Sequence, residues 1–205
     1  MNLPKNAIVN KAIPKQAFYS RLSISNKLKN EFIDKVQKII WAYKLSEKTL
    51  NIDKTKNVEE IQIFQVELKE KEIPKNILKL IDKAIPYPIL YIFNYNKDVA
   101  YGISLKEANV LENYYFSDWN EKIKFDFNAS NLEKVYQKII KKFIKTLDIN
   151  NKEFTEIIRE DAIIQEIEKD LKKLLQERRR EKQFNKKVVI NQQIKTKQAE
   201  LKIYK

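Results

Sequence analysis

At "DINN", residues 148–151, the hydrophobic period of the chain changes, and that break restricts the available folds more than any other feature. Upstream, apolar residues alternate in strand-length runs or sit in short amphipathic stretches. Downstream, Ile157, Ile164, Ile167, Leu171 and Leu174 follow the three-four spacing of a coiled-coil seam. A chain built this way reads as an α+β domain over residues 1–150 followed by a C-terminal helical arm over 151–205. The seam fails at Arg178 and resumes near Val188, Ile190 and Ile194. One long helix would carry a polar gap there, whereas a helical hairpin would put the gap at its tip and pack the second run on the first. The absence of Gly and Pro from the gap argues against the hairpin, the spacing argues for it, and both readings stay open.

Within the first 150 residues, "SNKLKNEFIDKVQKIIWAYKL" places Leu28, Phe32, Val36, Ile39, Ile40 and Tyr43 at steps of three and four, which predicts one amphipathic helix with Ser25 as N-cap. "VEEIQIFQVELK" alternates from Phe64 onward and predicts a strand. "IPKNILKLIDKAI" begins a short helix at Pro74, and "PYPILYIFNY" with "VAYGISL" makes a hairpin across "NKD". "ENYYFSDW" is a further strand. "SNLEKVYQKIIKKFIKTL" opens on a Ser130–Glu133 capping box and would bury Val135, Ile139, Phe143 and Ile144. The expected architecture is a small, mostly antiparallel sheet with flanking helices.

Composition then removes whole classes of chemistry. The chain has no His and no Cys, which excludes imidazole bases, Ser-His triads, disulfides and thiolate or imidazole metal sites. Its one glycine, Gly102, cannot build a glycine-rich phosphate loop. No cofactor is implied. No apolar run is long enough to span a membrane and the N-terminus lacks the apolar core of a signal peptide, so a cytoplasmic location is expected. The net charge of +13 is concentrated at the end, where residues 171–205 carry 12 basic and 3 acidic side chains. Lysine excess of the kind found in AT-rich bacterial genomes inflates such a charge; a triple arginine is not explained that way.

"IIWAYKLSEKTLNI", "EEIQIFQVELK", "LKLIDKAIPYPILYIF" and "EKQFNKKVVINQQIKTKQAEL", in that order, resemble the bacterial domain of unknown function 4391 family over nearly the whole chain. Members look like standalone proteins of about this size, often encoded beside helicases and DNA methyltransferases in restriction-like or phage-defence clusters. The resemblance supplies no catalytic residues.

Two constellations could carry function. In "QERRREKQFNKKVVINQQ", the side chains of Arg178, Arg179, Arg180, Lys182, Lys186 and Lys187 could hold phosphates, with Phe184 stacking on a base of DNA or RNA. They could equally be the solvated or partner-facing flank of the arm, since successive helical residues turn by about 100° and three arginines do not share one face. In "VELK", Glu67 and Lys69 share a sheet face as an E-x-K nuclease motif requires. Asp53 would be a second Mg²⁺ ligand in a restriction-endonuclease-like fold. Glu-Lys alternation is also common on wet strand faces. The aromatics Trp41, Tyr43, Tyr87, Tyr91, Tyr114, Tyr115 and Trp119 read mainly as core. Glu153, Glu156, Glu160 and Asp161 would favour the helix N-terminus or clamp the basic arm. The expected function is a non-catalytic adaptor that docks a protein partner, such as a helicase or DNA methyltransferase, through the arm. A nucleic-acid-binding module is the alternative, and a Mg²⁺-dependent nuclease the second.

Overall fold

The computed structural model describes residues 3–19, 24–107, 110–145, 149 and 152–204. Six strands form one sheet in sequence order: β1 (Ile8–Ala12), β2 (Val36–Ser46), β3 (Glu60–Leu68), β4 (Ile89–Tyr95), β5 (Asp98–Glu107) and β6 (Val110–Phe116). All neighbours are antiparallel except β3 and β4, because helix α4 (Lys75–Ala84) returns the chain to the starting end of β3 before β4 begins. The β4–β5 hairpin closes through a two-residue loop in which Asn96 takes φ 52°. Asn10, Asn51 and Asn120 are also left-handed, so among the described residues every positive-φ position is an asparagine. The lone glycine serves another purpose. A Cβ at Gly102 would lie 2.7 Å from the Phe116 ring and 3.0 Å from that of Phe93, so the bare backbone lets two aromatics close over β5.

The register assigns the faces. Phe64, Val66, Tyr91 and Phe93 share one face and form a core with Phe18 of α1 (Gln16–Tyr19), Phe32 of α2 (Asn26–Lys35), and Ile77, Leu78 and Ile81 of α4. Ile61, Ile63 and Leu90 point the other way, where α5 (Leu132–Lys141) lies against β3 and β5 and buries Val135 and Ile139. Both faces are therefore covered over the middle of the sheet. Tyr115 is buried and its neighbour Tyr114 half-buried, though they point oppositely.

Three sequence expectations are corrected. The single helix read over residues 25–45 stops at Lys35, and Val36 begins the longest strand; Ser25 does cap the helix, accepting from Leu28 N at 3.3 Å. Register shifts at Val36/Lys38 and Trp41/Tyr43 break the period of two, so β2 buries Val36, Ile39, Ala42 and Leu45, every third residue. Bulges thus gave a strand the apolar spacing of a helix. The cap of α5 is Asn131, whose Oδ1 accepts from Lys134 N at 2.9 Å, in place of Ser130. Strand β1, short and largely exposed, carries no alternation and was not anticipated.

The chain divides into two compact units, residues 1–143 and 144–205. The boundary read at 150/151 lies outside the described residues. The second unit contains α6 (Phe154–Arg180) and α7 (Phe184–Tyr204). Arg178 meets Asn191 and Asp170 meets Lys197, so one helix runs back along the other as an antiparallel hairpin. Ile164, Ile167 and Ile194 are buried. The turn, Glu181–Gln183, has no Gly or Pro. It is held by the Glu181 carboxylate, which accepts from Lys182 N and Gln183 N at 2.8 Å each. Those bonds, that to Gln183 first, hold the carboxyl below its usual pKa. No helix among the described residues is long and apolar enough to cross a membrane.

Candidate functional site

The basic segment forms the tip of the hairpin. Arg178, Arg179 and Arg180 end α6, Lys182 lies in the turn, and Phe184, Lys186 and Lys187 open α7. All are exposed except Lys187, which is half-buried. Phe184 is 77% exposed, and Val188 and Val189 are more than half exposed. Val188, expected in the seam, is four residues from Phe184 and so on the same helix face, while Ile190 and Ile194 turn inward. The tip therefore presents apolar side chains among cations. The acidic start of α6 has local partners: Glu160 binds Lys152 at 2.5 Å, and Asp161 accepts from Gln165 Nε2 at 2.6 Å.

The E-x-K residues fall elsewhere. Glu67 is half-buried near the end of β3, in register with Lys38 and Asn94. Lys69 is exposed one residue past the strand, its N–H donating to Lys35 O at 2.9 Å. Asp53 is exposed and bridges to Asn131, and its carbonyl accepts from Leu132 N at 2.9 Å. Asp53 is thus tied to the start of α5 and Glu67 to β2 and β4, with no pairing partner in common. Among the described residues, no group of three or more His, Cys, Asp or Glu side chains could hold a metal ion.

A buried polar cluster was missed by sequence reasoning. Asp82 on α4 and Lys106 on β5 are both inaccessible and form an ion pair, with Oδ1 and Nζ 3.0 Å apart. Asp82 Oδ2 accepts from the hydroxyls of Tyr91 and Tyr114, each at 2.7 Å. The Lys106 ammonium also donates to the carbonyls of Asp82, Ile85 and Tyr87 at 3.1, 2.6 and 2.9 Å. Those carbonyls are at and just beyond the C-terminus of α4, so Lys106 caps a helix that has no C-terminal glycine. From the opposite face, the Tyr136 hydroxyl donates to Ser104 O at 2.7 Å and accepts from Lys106 N at 2.8 Å. Burial lowers the pKa of Lys106, with Asp82 opposing, and burial with the Asp82 charge raises those of Tyr91 and Tyr114. Burial likewise raises that of Tyr136. This is a structural cluster: the Asp82 and Lys106 charges face each other, and the surrounding hydroxyls and carbonyls are hydrogen-bonded to them. A Lys in a strand and an Asp in a helix give no sequence signal of pairing, because 24 residues separate them.

No curated protein and no solved structure matches the chain. The model of one family does, described as a domain of unknown function and matched over residues 1–201. Since that match spans nearly all of its 205 residues, this chain belongs to the domain of unknown function 4391 family.

Proposed function

We propose that the protein is a non-catalytic adaptor that docks a partner through the tip of its C-terminal hairpin. The observation that carries this reading is the exposure of Phe184, Val188 and Val189 among Arg178, Arg179, Arg180, Lys182 and Lys186. A two-helix hairpin needs its apolar residues for its own seam. Three left outside it, at one end and ringed by positive charge, fit an apolar pocket with an acidic rim on another protein. An aromatic anchor inside a charged ring is also how interface energy is usually concentrated. The proposed partner, a helicase or DNA methyltransferase of a restriction-like or phage-defence complex, follows from the company that similar proteins keep and is part of the proposal.

The test is affinity purification from the native host with the full chain and with Phe184→Asp/Val188→Asp. The wild type is expected to retain a helicase or methyltransferase that the variant loses. Recovery of the same proteins by both chains would remove the tip from the docking surface. The same cations and the exposed Phe184 also suit a nucleic-acid strand, and this second reading is tested separately by salt dependence.

A further inference from the structure

Helix α7 has a seam on each of two opposite sides. Toward α6 it turns Ile190 and Ile194, the first half-buried and the second buried, and Leu201, seven residues beyond Ile194, shares that side. The opposite side carries Asn185, Val189, Gln192, Thr196, Ala199 and Ile203. These are spaced four, three, four, three and four residues apart, which keeps them on one line along the helix. All six are exposed, Val189 by 59% and Ile203 by 80%. None is charged, although 34% of the chain is. A surface helix keeps its apolar residues on the side facing its own domain and charges the other. An uncharged heptad line on the outer side of a helix whose inner side is already packed is the pattern of a helix covered twice. The line runs for about 27 Å at 1.5 Å per residue.

Charge selects the occupant. The tip half of the hairpin, residues 171–194, carries 8 basic and 2 acidic side chains, and the open half, 153–170 with 195–204, carries 5 basic and 8 acidic. The halves meet where Asp170 faces Lys197. A second copy laid antiparallel along the outer line brings each basic tip to the other's acidic end, whereas a parallel copy would set tip beside tip. We propose that two chains form a homodimer by antiparallel pairing of their hairpins through the outer face of α7. A twofold axis at the level of Ile194 makes the line self-complementary. Asn185 then faces the partner's Ile203, Val189 the partner's Ala199 and Gln192 the partner's Thr196. At the flank, Lys186 comes beside the partner's Glu200, twice by symmetry, against one repulsion between Lys195 and the partner's Lys195. Phe184 and Val188 stand to one side of the line, so the dimer is independent of what the tip docks.

Sedimentation equilibrium of the full chain is expected to give twice the mass of one chain. Ala199→Glu and Ile203→Glu each set an unpaired charge in the seam and are expected to weaken the dimer by about tenfold or more. Both positions are exposed in the single chain, so the circular dichroism of the variants should match the wild type. Phe184→Asp, off the line, should leave the dimer in place, which separates this interface from docking at the tip. Raising the salt concentration should weaken the dimer, because its opposite ends attract through solvent. The chain has no Cys, so orientation can be read from introduced ones. Asn185→Cys mixed with Ile203→Cys is expected to give an intermolecular disulfide that neither variant gives alone. A monomer at about 0.1 mM, wild-type dimerisation in both glutamate variants, or a disulfide between two Ile203→Cys chains would overturn the proposal.

Discussion

Replacing Lys106 by Met keeps the volume of the side chain and removes only its charge and donors. The ammonium touches one buried carboxylate and three main-chain carbonyls. Breaking a buried ion pair from one side leaves an uncompensated charge and costs about 3–5 kcal/mol. Carbonyls deprived of a donor add about 1 kcal/mol or more each where water cannot replace it. Two tyrosine hydroxyls still hold Asp82 Oδ2, so the carboxylate is not stripped bare, and the loss should fall at about 4–5 kcal/mol. That is a large part of a typical total stability of about 5–15 kcal/mol. Both tryptophans, Trp41 and Trp119, lie in the sheet unit, so their fluorescence during urea unfolding reports on it directly. Asp82→Asn combined with Lys106→Met should lose clearly less than the sum of the two single changes, with a coupling of about 2 kcal/mol. A Lys106→Met loss under about 1 kcal/mol, or additive losses in the cycle, would show that the cluster neither caps α4 nor behaves as a unit.

The same cluster should make the fold sensitive to alkali. Tyr91, Tyr114 and Tyr136 have raised pKa values in the folded chain, so above pH 10 the unfolded chain sheds phenolic protons that the folded one keeps. Stability then falls with rising pH by about 1.4 kcal/mol per pH unit for each tyrosine. Lys106, lowered on folding, acts in the opposite sense only between its folded value and its ordinary 10.5. Urea midpoints should therefore drop steeply above pH 10.5, and less steeply in Tyr91→Phe; a flat profile there would contradict the buried hydroxyls. At the hairpin tip, Arg178→Ala/Arg179→Ala/Arg180→Ala should flatten the salt dependence of duplex-DNA binding by up to about 0.9 per lost phosphate contact. Unchanged affinity and slope in fluorescence anisotropy would leave the tip as a protein-contact element.

The sequence by itself determined the class of the protein and most of its elements. Apolar alternation marked β3 and the β4–β5 pair, and three-four spacing marked α4, α5 and the arm, because these patterns depend only on local geometry. The absence of His and Cys by itself closes off imidazole and thiol chemistry. Three matters needed the tertiary structure. The stretch Val36–Ser46 has helical spacing but lies between β1 and β3, where two bulges let every third residue be buried; sheet pairing overrode the local pattern. The hairpin turns without glycine or proline because the Glu181 side chain serves its own backbone, a contact no composition rule anticipates. The Asp82–Lys106 cluster depends on groups brought together from strands, a helix and their loops. Patterns along a chain report which face a residue prefers, but which charge meets which carbonyl is settled only when distant segments close upon one another.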